Sequence, residues 1–148
     1  MTPIGAERAS MLVRPTADTK FHIDFRWWEK ADRDWAVYLR SHLCAQHQLS
    51  YADMETGEVV DYVDPVTAEV TRVPGIQHVV ITHCSRLPDY ITPQTTLVHA
   101  VFRVFLANGN TPLSPNELSA RLGRPAQTIL RTLSSPRVYK GIRPHMQD

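Results

Sequence analysis

Residues 111 to 133 read Thr111-Pro-Leu-Ser-Pro-Asn-Glu-Leu-Ser-Ala-Arg-Leu-Gly-Arg-Pro-Ala-Gln-Thr-Ile-Leu-Arg-Thr-Leu133. Ser114 and Glu117 stand at the spacing of a capping box, with Pro115 at the first helical position, where its fixed φ and missing N–H are tolerated. A helix that starts there carries Leu118 and Leu122 inward, and Gly123 stops it. Pro125 begins a second helix, on which Ala126, Ile129, Leu130 and Leu133 recur at the i, i+3, i+4, i+7 spacing of a buried stripe. Gln127, Thr128 and Arg131 are left facing out. A short helix, a glycine turn and a second helix with a polar outer face form the geometry that can lay one helix in a major groove.

Upstream, Thr92-Pro93 starts a helix with Leu97, Val98, Val101, Phe102 and Phe105 inward, and Asn108-Gly109-Asn110 ends it in a left-handed cap. Downstream, Ser134 to Pro144 reads as a short wing. The stretch Thr92 to Pro144 therefore resembles the winged helix-turn-helix superfamily. The residues that carry the resemblance are the stripe Leu97, Val101 and Phe105, the turn Glu117 to Gly123, the run Thr128 to Arg131, and Val138 to Ile142 as the wing, which Pro136 and Pro144 bracket. The resemblance implies a DNA-binding domain or, since winged helices also join proteins together, an adaptor.

Charge leans toward nucleic acid. Residues 111 to 148 hold six Lys or Arg (Arg121, Arg124, Arg131, Arg137, Lys140, Arg143) against Glu117 and Asp148, a balance of +4. Residues 1 to 110 balance at −3, so the whole-chain charge of +1 hides a polarity between halves. A basic module suits phosphate contacts, because neutralising phosphates releases counterions. The expected contacts are Arg124, Gln127, Thr128, Arg131, Arg137, Lys140 and Arg143, and the expected partner is double-stranded DNA. An ordinary solvated basic surface is the plainer alternative.

At 148 residues and 43% hydrophobic, the chain can bury a core as one domain or as two small ones packed together. No run approaches the length of a membrane span, and the N-terminus lacks the apolar stretch of a signal peptide. A cytoplasmic location is expected, with no membrane contact. No phosphate loop, dinucleotide fingerprint or nucleophile elbow is present, so no catalysis is expected.

The remainder divides into a flexible arm over 1–18, an N-terminal helical part over 19–91 and the winged domain over 92–148. Phe21 to Phe25 alternates like a strand, and Asp24 is placed to cap a helical stretch from Arg26 to His47, broken near Ala31 to Asp34. Trp35, Tyr38, Leu39, His42 and Leu43 share one face of it. Asp53 to Val59 and Asp64 to Val70 both read Asp-x-x-Thr-x-Glu-Val, two Asp-opened turns each followed by a short strand, which together make a hairpin-like insertion. Ile76, Val79, Val80 and His83 return to helical spacing, and Pro88 ends that element. The fold expected is mainly α with minor β.

Cys44-Ala-Gln-His47 and His83-Cys84 supply two sulfur and two nitrogen ligands, a set that suits tetrahedral zinc and, after it, an iron–sulfur cluster. His42 and His78 are spare candidates. In a regular helix His83 and Cys84 point about 100° apart, so both can ligate only if the helix unwinds locally. The plainer reading ranks ahead of metal: small buried cysteines, and histidines at helix C-termini. A disulfide or thiol switch ranks third. The functional expectation is a small transcriptional regulator that reads DNA through residues 125–134, its N-terminal part serving dimerisation or sensing. The alternative is a winged-helix adaptor in a larger assembly, with Trp27, Trp28 and the acidic half as its contact surface.

Overall fold

The computed structural model describes residues 14–31, 35–50 and 59–145. In chain order these are β1 (Phe21–Ile23), α1 (Phe25–Ala31), α2 (Trp35–Arg40), α3 (Ala45–Ser50), β2 (Val59–Val63), β3 (Val70–Pro74), α4 (Gly75–Thr82), a 3₁₀ turn (Cys84–Arg86), α5 (Leu97–Ala107), α6 (Pro115–Leu122), α7 (Ala126–Leu133) and β4 (Ile142–Pro144). The architecture is mainly α with minor β.

The local signals at α6 and α7 are realised. The Glu117 N–H donates to Ser114 Oγ at 3.2 Å and the Ser114 N–H donates to Glu117 Oε1 at 2.9 Å, closing the capping box with Pro115 in the first turn. Gly123 ends the helix at φ +68, in the left-handed region open to glycine. On α7, Ile129 and Leu133 are buried and Gln127, Thr128 and Arg131 are exposed, while Ala126 and Leu130, expected in the buried stripe, are only half-buried. Lys20 pairs with Glu117, so the N-terminal segment is tied to the start of α6. Asn116 extends the tie, its N–H donating to the Ala17 carbonyl at 3.1 Å and its Nδ2 to Asp18 Oδ1 at 2.9 Å. Of the arm read over 1–18, residues 1–13 lie outside the described residues.

α5 is the centre of the core. Val101, Phe102 and Phe105 are fully buried on it, packed in one cluster with Phe21, Ile23, Leu39, Ile76, Val80, Leu118, Ile129 and Ile142. The members come from both sides of residue 92. α5 begins at Leu97 rather than at Thr92-Pro93, because the Thr95 hydroxyl accepts the Thr92 N–H at 2.9 Å and the Thr92 carbonyl accepts the Thr95 N–H at 3.0 Å. Such hydroxyl-closed turns compete with helix. The cap after α5 is as expected, with Gly109 at φ +71 and Asn110 at φ +63.

The stretch from Arg26 to His47 forms three helices rather than one interrupted helix. Asp24 caps the first, its Oδ1 accepting the Arg26 N–H at 3.0 Å. A second break falls at Ser41 to Cys44, where the His42 and Leu43 N–H groups turn back to the carbonyls of Leu39 and Arg40. Leu39, His42 and Leu43 are buried together as the spacing predicts; the Trp35 side chain lies outside the described part. β2 and β3 form the hairpin, with Val59 opposite Pro74 and Val63 opposite Val70. Asp64 opens its turn, its Oδ1 accepting the N–H groups of Val66 at 2.7 Å and Thr67 at 3.0 Å. The first half of the sequence echo, up to residue 58, lies outside the described residues.

The wing segment does not fold back on itself. Residues 135–141 form a loop, and β4 pairs antiparallel with β1 (Phe21 with Pro144, Ile23 with Ile142), while Phe21 also bridges Leu113. Trp28 locks this join, its Nε1 donating to the Lys140 carbonyl at 2.9 Å. Trp28 is 6% exposed and Trp27 packs edge-on against it at 5.1 Å. Trp28 is therefore a core and join residue, and Trp27 lies half-buried against the core.

Candidate metal centre and recognition helix

Cys44 stands in the connection between α2 and α3, and His47 lies in the first turn of α3. The pair thus sits at the start of a helix, not at an end of the one predicted over 26–47. Their spacing brings Cys44 Sγ to 3.0 Å from His47 Nδ1. On the other side, α4 ends at Thr82. His83 leaves helical geometry at φ −134, ψ −65, and Cys84 begins the 3₁₀ turn. This is the local unwinding that two adjacent ligands require, and it turns both side chains toward α3.

The four donors converge. Cys44 Sγ lies 3.4 Å from Cys84 Sγ and 3.8 Å from His83 Nδ1, and Cys84 Sγ lies 3.7 Å from His47 Nδ1. All four ligand atoms fall within 4.8 Å of one another. A tetrahedral zinc with sulfur at ~2.3 Å and nitrogen at ~2.0 Å has ligand–ligand edges of about 3.3 to 3.8 Å, and the observed separations straddle that range. The residues lie close enough to bind one metal ion. Cys84 is buried, and burial pushes its thiol up to about 11. Its sulfur also accepts the Cys44 N–H at 3.3 Å.

The spare histidines do not join this group. His42 is 2% exposed, stacks on Phe102 at 4.9 Å and accepts a hydrogen bond on Nδ1 from Arg103 Nε at 3.0 Å. Burial first, and then the Arg103 charge, lowers its pKa to about 3. Arg103 also donates to the Tyr90 carbonyl at 2.6 Å, and the Tyr90 hydroxyl donates to the Arg103 carbonyl at 2.6 Å. Sequence spacing gave no signal of this buried polar cluster, since Arg103 falls between the apolar positions of α5. His78 packs near Tyr62 instead, with ring centroids 6.4 Å apart.

The residues expected to meet nucleic acid are spread more widely. Gln127, Thr128 and Arg131 share the exposed face of α7. Arg124 directs its guanidinium at the carbonyls of Thr92, Pro93 and Thr95, clamping the turn to the approach of α5. Arg137 lies over the Tyr139 ring at 5.4 Å and Lys140 over the Tyr38 ring at 4.6 Å. Arg143, on β4, pairs with Asp24 at 3.8 Å. The sequence reading missed Arg14, which lines a groove of about 480 Å³ beside α7 with Gln127, Leu130 and Arg131. No local pattern links residue 14 to a helix more than a hundred positions away.

Among the described residues no helix is long and apolar enough to cross a membrane. No protein family, curated protein or solved structure matches the chain.

Proposed function

We propose that this chain is a zinc-bearing DNA-binding protein, in which Cys44, His47, His83 and Cys84 hold the metal and α7 enters the major groove. Zinc is favoured over an iron–sulfur cluster by the interleaving of the donors. In a two-iron cluster with mixed ligands the cysteines and histidines sit on different irons. Here Cys44 Sγ is 3.0 Å from a histidine nitrogen and 3.4 Å from the other sulfur, an arrangement suited to a single ion. Four protein ligands close the coordination shell, which is the character of a structural site rather than a catalytic one. Such an ion ties the start of α3 to the end of α4.

One observation carries the DNA reading: α6, the left-handed turn at Gly123 and α7 present Gln127, Thr128 and Arg131 outward over buried Ile129 and Leu133. The side chains at the start of a recognition helix reach base edges, and cations beside it reach phosphates. Arg14 and Arg131 flank the same groove. The burial of Trp28 and packing of Trp27 favour this reading over an adaptor. Fluorescence anisotropy with mixed-sequence duplex DNA tests it. Binding is expected at low salt, falling steeply as salt is added, and Arg131→Ala costs roughly 1 to 3 kcal/mol. No duplex affinity at low salt overturns it.

A further inference from the structure

The chain has two cysteines in 148 residues, and the fold brings them together across forty positions with Sγ atoms 3.4 Å apart. A disulfide needs ~2.05 Å, little more than an ångström closer than the two sulfurs already stand. Neither sulfur has a competing cysteine. A cavity of about 170 Å³ abuts both, with Ser41, His42, Tyr90 and Arg103 among its walls. At about 10 to 15 Å³ of accessible space per water, it has room for several water-sized molecules beside the two cysteines, and its lining is polar enough to hydrogen-bond them.

We propose that Cys44 and Cys84 form a reversible disulfide when hydrogen peroxide enters this cavity, and that the reaction expels the metal. Cys44, the more exposed of the two, is the sulfur that the oxidant meets. Its thiolate attacks one peroxide oxygen, the O–O bond breaks, and the leaving hydroxide takes a proton to become water. Cys44 is then a sulfenic acid. Cys84, held beside it by the Cys44 N–H at 3.3 Å, attacks that sulfur; the S–S bond forms and the second hydroxide leaves as water with another proton. The two sulfurs lose two electrons, the two thiol protons go to the leaving hydroxides, and one hydrogen peroxide becomes two waters. The disulfide no longer offers two thiolate ligands, and His47 and His83 alone hold zinc weakly. The cross-link meanwhile keeps α3 tied to the end of α4, so the metal leaves while the fold remains.

The metal-release half rests on the zinc reading; disulfide formation does not. The full chain, as purified and after metal removal, is treated with equimolar hydrogen peroxide, then followed by intact mass, thiol titration and a chromogenic zinc chelator. The expected result in both samples is a monomer lighter by two hydrogens with both thiols lost, restored by dithiothreitol. The zinc-loaded sample also releases one metal per disulfide. A chain that carries no zinc as purified and still forms the disulfide sinks the zinc reading, and metal release with it, and sustains the disulfide. Thiols that survive excess peroxide in both samples, or that gain two or three oxygens without an intramolecular disulfide, overturn it. In Cys84→Ser, a dimedone adduct on Cys44 is expected; its absence in a variant that retains the native circular dichroism spectrum counts against Cys44 as the attacking sulfur.

Discussion

Two glycines in the C-terminal part share a left-handed backbone and differ in their surroundings. Gly123 has φ +68 with nothing within 4 Å of an added Cβ, whereas Gly141 has φ +77 and an added Cβ would lie 2.8 Å from Trp28 Nε1 and 3.2 Å from Trp27 Cε3. Gly123→Ala therefore incurs only the left-handed conformation, about 1 to 2 kcal/mol. Gly141→Ala incurs that and more. Trp28 is 6% exposed and donates to the Lys140 carbonyl, so the indole has little room to retreat. Overpacking adds about 1 to 3 kcal/mol, and weakening the indole hydrogen bond about 1 kcal/mol. Gly141→Ala is expected to lose roughly 3 to 6 kcal/mol, clearly more than Gly123→Ala. Urea unfolding of the two variants at constant m-value measures the difference. Equal losses would refute the placement of the tryptophans against residue 141, and with it their role as the lock between β1 and β4.

Leu133→Ala is expected to destabilise by roughly 2 to 5 kcal/mol through the cavity it leaves, since Leu133 is 6% exposed in the core; a loss under about 1 kcal/mol would show that α7 is wrongly phased. Glu117→Gln keeps the capping-box geometry and removes the ion pair with Lys20. The hydrogen bond from Lys20 is the main cause that holds the Glu117 carboxyl below its usual range. The wild-type advantage is thus present above the unfolded value near 4.5 and fades as pH falls through the folded one. Because both side chains are 43% exposed, it amounts to less than about 1 kcal/mol; an advantage that grows toward pH 3 in thermal melts would contradict it. Chelation of the metal by EDTA is expected to lower Tm by several degrees, as a structural site contributes folding energy, and an unchanged Tm in a sample shown to have lost its zinc would contradict a structural role.

The parts of the fold legible in the sequence are those written in neighbouring residues. Ser114, Pro115, Glu117, Gly123 and the Ile129–Leu133 stripe specify α6, its turn and α7 within twenty positions, and Asp64 specifies the hairpin turn through its own carboxylate. The β1–β4 pair was not legible. The alternation over Phe21 to Phe25 marks β1, but β4 has three residues, too few to show a period, and the partners lie about 120 positions apart. The candidate metal centre stands between these cases. Residue types and the Cys-x-x-His spacing named its four members, and the geometry of a regular helix set the condition that His83 and Cys84 be unwound. Whether α4 stops at Thr82, and whether α3 approaches it there, depends on packing around Ile76, Val80 and Leu43 that no local signal states.

The measurement that bears most directly on this account is the metal content of protein purified without added metal, by elemental analysis with X-ray absorption at the zinc edge. One zinc per chain is predicted, with two sulfurs at ~2.3 Å and two nitrogens at ~2.0 Å, and Cys44→Ser or Cys84→Ser should abolish it. Less than about a tenth of an equivalent of zinc or iron, with both thiols titrating freely in the folded chain, would contradict the metal centre.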